Sequence, residues 1–289
     1  MKVFAVIVTY NGMKWIEKCI NSILNSTYLI NTIIVDNGST DGTIEFIKNG
    51  PLSNNLILQK NNLGFGAANN IGIRHALKMN ADFIILFNQD VYFENNLVQD
   101  LVTEMTNQKS FAILSPIHIN ANHKIDSLFL SYIKSNKEIM GDYLTQKNKN
   151  IYSVSFVNAA FWCIDAKWIK KIGGFNPIFF MYGEDNNICN RLRYFGGQIG
   201  VCTKLYITHD RENRVLTNVH KKLIFKTRLR NKLFDINNSS PLLSGIKFIF
   251  LNFISTKSIS FLISGIKQII FYLKNKKYRK LQYEESAFL

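Results

Sequence analysis

The sequence predicts an α/β fold, a mostly parallel sheet with helices on both faces, followed by a basic helical tail. Three observations predict it. Short apolar runs alternate with segments of helical apolar spacing through the first 90 residues. Polar residues gather where each apolar run ends, and the positive charge is concentrated beyond residue 220. The hydrophobic fraction of 47% is that of a chain that buries a core rather than a disordered one.

Residues 3–8 form the first apolar run, too short and too early for a signal peptide and better read as a strand. Residues 16–24 carry Ile16, Ile20, Ile23 and Leu24 at helical spacing. Residues 32–35 make a second strand, ended by the turn-rich stretch from Asp36 to Gly42. A short helix over 43–48, a strand over 56–58, a helix over 65–79 and a strand over 83–87 follow. Strands separated by helices imply right-handed crossovers and a parallel sheet covered on both faces. In such sheets a ligand sits beyond the carboxyl ends of the strands. Thr9-Tyr10-Asn11, Asp36, the stretch 61–70 and Asn88-Gln89-Asp90 all fall at those ends.

The middle is less regular. Residues 119–150, rich in Asn, Lys and Ser, read as an excursion or flexible loop. Order resumes with apolar stretches over 152–157 and 158–164, a helix near 166–171 and the Gly173-Gly174-Phe175 turn. A helix runs over 184–195 and a strand over 199–208. The domain boundary falls near residue 220: a first half over about 1–115, a second half over about 150–220, and a tail over 221–289.

The formal net charge of +15 suggests nucleic acid until its distribution is read. Residues 1–220 hold 21 Lys and Arg against 17 Asp and Glu; residues 221–289 hold 14 against 3. A one-ended excess interleaved with apolar residues suits an anionic membrane surface, and no nucleic-acid partner is expected. The apolar runs 248–256 and 258–266 are too short to span a bilayer. In the second, Lys257, Ser260, Ser264, Lys267 and Gln268 fall on one helical stripe, with Phe261, Leu262, Ile266, Ile269, Ile270 and Leu273 largely opposite. The stretch 241–280 is therefore expected either to lie on a membrane or to pack against the preceding domain. The four cysteines show no CxxC pair, so a reducing cytoplasm is the expected compartment.

Asp90 ends an apolar strand, where a carboxylate can ligate a divalent cation bridging two phosphates. Asp36 can accept hydrogen bonds from a base or ribose, or cap the turn that follows it. Gly64-Phe65-Gly66 echoes a dinucleotide fingerprint but follows the third strand and leads to Asn69, and no P-loop is present. Glu184 and Asp185 stand at a helix N-terminus, as caps or with Asp185 as a base. His209, after the last strand, is either structural or an imidazole ligand to the same metal.

Taken together, VIVTYNG at the start, VDNGSTDGT at 35–43, NLGFGAANNIG at 62–72, FNQD at 87–90 and GGFNPIFFMYGEDNNICNRLRYFG at 173–196 resemble the family 2 glycosyltransferases of the GT-A, Rossmann-like fold. The bacterial rhamnosyltransferase-like members of polysaccharide assembly are the nearest pattern. The resemblance implies an inverting transfer from a dTDP- or UDP-linked sugar, with Mg²⁺ or Mn²⁺, onto a glycan or lipid-linked acceptor at the inner membrane face. It places the donor on Thr9, Tyr10, Asn11, Asp36, Gly38, Gly64, Gly66, Asn69 and Asn88, and the metal on Asp90 and His209. It gives Glu184 and Arg191 to the acceptor and makes Asp185 the base. Two positions depart from the family: Asn88 and Asn187 stand where acids are common. A sugar-phosphate nucleotidyltransferase would need a basic, Gly-rich loop after the first strand, where only Tyr10-Asn11-Gly12-Met13-Lys14 occurs. A non-catalytic membrane or nucleic-acid binder would have no need of Asp90, Glu184 and Asp185 together.

Overall fold

Strand β1 (Val3–Thr9) is buried along almost its whole length, as an unbroken apolar run must be in the middle of a sheet covered on both sides. The chain then alternates through α1 (Ile16–Leu24), β2 (Ile30–Asp36), α2 (Thr43–Lys48), β3 (Leu56–Leu58), α3 (Phe65–Lys78) and β4 (Phe83–Asn88). The computed structural model describes residues 1–134, 136–147, 149–211 and 217–289. Helix α1 buries Ile16, Cys19, Ile20 and Ile23, the stripe its spacing requires, while Leu24 is exposed.

Beyond β4 come β5 (Val91–Phe93), α4 (Leu97–Asn107), β6 (Phe111–Ile119), α5 (Ser127–Ile133) and α6 (Lys137–Leu144). They are followed by β7 (Ile151–Val154), β8 (Phe161–Asp165), α7 (Ala166–Ile172), α8 (Glu184–Tyr194) and β9 (Gln198–His209). The stretch 119–150, expected to be an excursion, holds two capped helices. Asp126 accepts from the amides of Leu128 and Phe129, both at 2.8 Å, and Asn136 from those of Glu138 and Ile139. Phe129 and Ile133 of α5 are buried in the main core.

The sheet order is β3-β2-β1-β4-β8-β6-β9-β5, with β7 also paired to β9. Strands β1 to β4 pair in parallel; β8 enters antiparallel between β4 and β6, setting Phe87 opposite Phe161. Strand β6 is parallel to β9, so the carboxyl ends of β1, β2, β4, β6 and β9 share one edge. Strand order reverses between β1 and β4, where an open α/β sheet leaves its crevice. One apolar cluster lies beneath α3, α7 and α8; the other lies beneath α1 and α4.

Helices α9 (Asn218–Phe234), α10 (Pro241–Thr256) and α11 (Ile259–Lys274) and the short α12 (Lys277–Lys280) make up the tail. They share a third cluster in which Phe225, Leu229, Leu233, Phe234, Ile249 and Tyr272 meet Ile178 and Phe179 of the loop before α8. The polar stripe expected on α11 is divided: Ser264 and Gln268 are buried, with Gln268 Oε1 accepting from Arg230 at 2.9 and 3.2 Å. The chain then returns to the main body. Gly174 donates its amide to Ala287 O at 2.8 Å, and the Asn187 amide donates to Gln282 Oε1 at 2.9 Å. Among the described residues, no helix is long and apolar enough to cross a membrane.

Candidate active site

The floor of the crevice is a closed hydrogen-bond network built by β1 and β2. Asp36 is fully buried, and both its oxygens are engaged. Oδ1 accepts from the amides of Gly38 at 3.0 Å and Ser39 at 2.9 Å; Oδ2 accepts from Thr9 Oγ1 at 2.9 Å and Ser39 Oγ at 2.6 Å. Thr9 and Asp36 are thus bonded to each other and to the turn, which fixes the shape of the crevice floor at the ends of β1 and β2. Four acceptor bonds also use up the capacity of a carboxylate. Asn11, at φ 48°, donates its amide to Ser39 Oγ and accepts from the Thr40 amide at 2.8 Å. Tyr10 stays 44% exposed at the rim, its backbone held by Gln89 through bonds of 2.9 and 3.1 Å.

The wall after β3 depends on close backbone approach. Gly64 has φ +85°, and a Cβ there would lie 2.1 Å from Phe180 O, which also accepts from the Phe65 amide. At Gly66 a Cβ would meet Phe175 at 2.8 Å and Glu184 at 3.6 Å. Gly38, at φ +87°, sits against the backbone of Asn61. The glycines therefore bring α3 against the loop before α8. Asn69 is buried and donates to Phe65 O within its own helix. Its neighbour Asn70, which sequence reasoning passed over, accepts from the Phe175 amide at 2.7 Å and donates to Phe175 O and Phe288 O.

Asp90 and His209 meet because β5 pairs antiparallel with β9, setting Val91 opposite His209. Asp90 Oδ1 lies 3.5 Å from His209 Nε2, and the backbone is tied by the Asp210 amide donating to Asp90 O at 2.8 Å. One carboxylate oxygen and one imidazole nitrogen, both little exposed and facing each other, are a donor set that could ligate a divalent cation. Among the described residues, no group of three His, Cys, Asp or Glu side chains could hold a metal. Behind His209 lies His118, also buried, its ring edge-on to His209 at 6.0 Å and its Nε2 3.1 Å from Ser115 Oγ. Burial, with the charges of His209 and Arg211 behind it, holds the His118 imidazole well below its usual range.

Glu184 and Asp185 form the first turn of α8, after Gly183 at φ +95°. Glu184 is 5% exposed and its Oε2 has no hydrogen-bond partner among the described residues. Burial, then the adjacent Asp185 charge, pushes its carboxyl up to about 8. Burial also raises Asp185, opposed by hydrogen bonds from the amides of Asn186 and Ala159. The next residue, Ala160, accepts from the Asn88 amide at 3.1 Å. The segment leading into β8 therefore meets the FNQD strand end. Tyr132 of α5, unforeseen in the sequence, is raised by burial, then by the Asp185 charge, with Arg211 and Asp126 also acting on it; Arg211 pairs with Asp126 at 2.7 Å. Arg191 points elsewhere: it is fully buried, its guanidinium donates to Ile172 O and Gly174 O, and it lies over the Phe288 ring at 5.3 Å. Those bonds fasten α8 to the Gly173-Gly174 turn, while its Nε has no partner among the described residues.

A mixed α/β sheet with a carboxylate–imidazole pair at its strand ends and a carboxylate pair at the start of α8 is similar in architecture to the GT-A glycosyltransferases. The chain belongs to glycosyl transferase family 2, whose family model matches residues 4–173. The dTDP-rhamnosyl transferase RfbF of Shigella flexneri is 24% identical over 280 residues, covering 94% of this chain and 92% of that protein. The crystal structure of S. aureus TarS 1–349 in complex with UDP-GlcNAc superposes with a TM-score of 0.61 at 16% identity, over 98% of this chain and 86% of that one. The mannosyltransferase PcManGT from Pyrobaculum calidifontis, in complex with GDP-Man and Mn²⁺, gives 0.57 at 12% identity, over 97% and 84%.

Proposed function

We propose that this glycosyltransferase moves a sugar from dTDP-rhamnose or a UDP-hexose onto a glycan or lipid-linked acceptor in cell-surface polysaccharide assembly at the cytoplasmic membrane face, with inversion. The observation that carries the reading is the adjacent carboxylate pair Glu184 and Asp185 in the first turn of α8, with Glu184 buried and its Oε2 unpartnered among the described residues. That pair supports a reading in which Asp185 acts as the base. RfbF, named for dTDP-rhamnose, supports the donor class by its coverage of nearly the whole chain.

Asp185 takes the proton of the acceptor hydroxyl as that oxygen attacks the anomeric carbon from the face opposite the diphosphate, so one displacement inverts the configuration. Two adjacent buried carboxyls do not both ionise readily. Glu184 keeps its proton near neutrality, leaving Asp185 as the charged member, and its raised pKa makes it the stronger base. Protonated Glu184 then has a donor for an acceptor oxygen. Asp90 and His209 would hold Mg²⁺ or Mn²⁺, which when bound offsets charge on the leaving diphosphate. Tyr10, exposed at the rim, offers a face for the base, while Thr9 and Asp36 keep the floor in shape.

Calorimetric titration with dTDP-rhamnose, UDP-hexoses and GDP-mannose, with Mn²⁺ or with chelator, tests this. A dTDP- or UDP-sugar should bind in a manner that needs Mn²⁺, and Asp90→Ala should remove that requirement together with most of the affinity. Equal binding with chelator would contradict the metal assignment; preference for GDP-mannose would contradict the donor assignment.

A further inference from the structure

Helix α11 is apolar on both its packed and its outward side: Tyr272 is buried, and Phe261, Leu262 and Ile269 pack in the tail cluster. Its buried side also carries Ser264 and Gln268, while Ile259, Ile263, Ile266, Ile270 and Leu273 stand 45% to 66% exposed. Their spacing of four, three, four and three residues places them on one stripe of the helix. On α10, Leu243, Ile246, Phe250, Leu251 and Ile254 are likewise 54% to 69% exposed. Both helices press on α9 and on each other: Gly265 lies against Ile249, and Gly245 against Leu233 and Ile269. Their outward stripes therefore adjoin, in a patch far more apolar than a surface facing only water would carry.

Charge identifies what covers the patch. Lys247 lies within the α10 stripe, Lys257 at the turn between the helices, and Lys267 and Lys274 beside the α11 stripe; all four are exposed. No Asp or Glu occurs between Asp235 and Glu284. We propose that the outer face of α10 and α11 seats the protein in the plane of an anionic lipid surface, the isoleucines entering the acyl boundary and the lysines meeting headgroup phosphates. At 16 residues each, the helices lie on the bilayer rather than cross it.

The seat is rigidly joined to the catalytic crevice. Arg230 of α9 donates to Ile178 O at 3.1 Å, Phe179 packs on Phe234, and Gly183 closes on Asn231. These contacts hold the segment that leads into Glu184 and Asp185, so lipid seating orients the acceptor mouth to the surface. The same segment exposes Phe180 and Met181. The lipid seat stands independently of the transfer reaction, because it is read without donor or acceptor.

Co-sedimentation of the full chain with phosphatidylcholine vesicles, with and without about a quarter phosphatidylglycerol, tests it. Binding should need the anionic lipid and weaken with salt. Lys247→Gln with Lys267→Gln and Lys274→Gln should cost about fivefold per lysine, on the order of 100-fold in all. Phe250→Ser with Ile263→Ser and Ile270→Ser should cost at least about tenfold at an unchanged melting temperature. The fluorescence that Phe250→Trp adds to the native signal should be quenched by brominated lipid. Wild-type binding to no vesicle, binding unaffected by both triple variants, or no quenching of that added fluorescence would each overturn the proposal. So would a wild-type dimer that the serine variant makes monomeric without any vesicle binding, since the face would then join two copies of this chain.

Discussion

Glu184 offers the sharpest physical test of the site's electrostatics, because its carboxyl is buried, incompletely bonded and beside another acid. Its folded pKa of about 8 compares with an ordinary value of 4.5. A carboxyl raised on folding contributes stability that is fully present below pH 4.5 and is lost as pH climbs through about 8. The difference of about 3.5 pH units, at 1.36 kcal/mol each, sets a ceiling near 5 kcal/mol on that loss. Glutamine keeps the shape and carries no ionisable proton. The stability of Glu184→Gln relative to the native protein should therefore rise steadily from about pH 5 to about pH 9, by several kcal/mol in favour of the variant. Urea unfolding followed by circular dichroism at a series of pH values reads this directly. A difference that stays constant across the range would refute the burial argument.

Two further variants probe the packing that joins α3 to the loop before α8. Gly64→Ala combines a left-handed backbone with a Cβ 2.1 Å from Phe180 O, and should destabilise by more than about 1 kcal/mol while weakening donor binding. Thermal melting and calorimetry check the two effects, and an unchanged melting point would mean the loop before α8 can move away. Asn70→Ala leaves the Phe175 amide, Phe175 O and Phe288 O without their partner, at a cost of about 2–4 kcal/mol in urea unfolding.

The first half of the sheet, β1 to β4 with its helices, was legible because its information is local. Apolar runs, turn residues and strand-end polar groups lie within a few positions of one another, so α1, α2 and β3 emerge with the bounds expected. Roles inside that half were less legible: Thr9 and Asp36 read as ligand contacts, and only their register at the ends of paired β1 and β2 shows them bonded to each other. The Asp90–His209 pair depends on β5 meeting β9 across more than a hundred residues, which no periodicity encodes. Arg191 looks like a surface cation on a polar helix until the Gly173-Gly174 turn and Phe288 close over it. In the stretch 119–150, abundant Asn and Lys concealed α5, whose capping Asp126 and buried Phe129 were the available signal. The stripe on α11 was visible, but which side faces α9 is decided by Arg230 reaching Gln268.

The central claim, that Asp185 is the base of a single inverting displacement, is tested most directly by Asp185→Asn assayed for sugar transfer alongside donor binding. The account predicts that calorimetric affinity for the dTDP- or UDP-sugar with Mn²⁺ stays within a few-fold of the native protein while turnover falls by at least about 100-fold. Near-native turnover in that variant would contradict it.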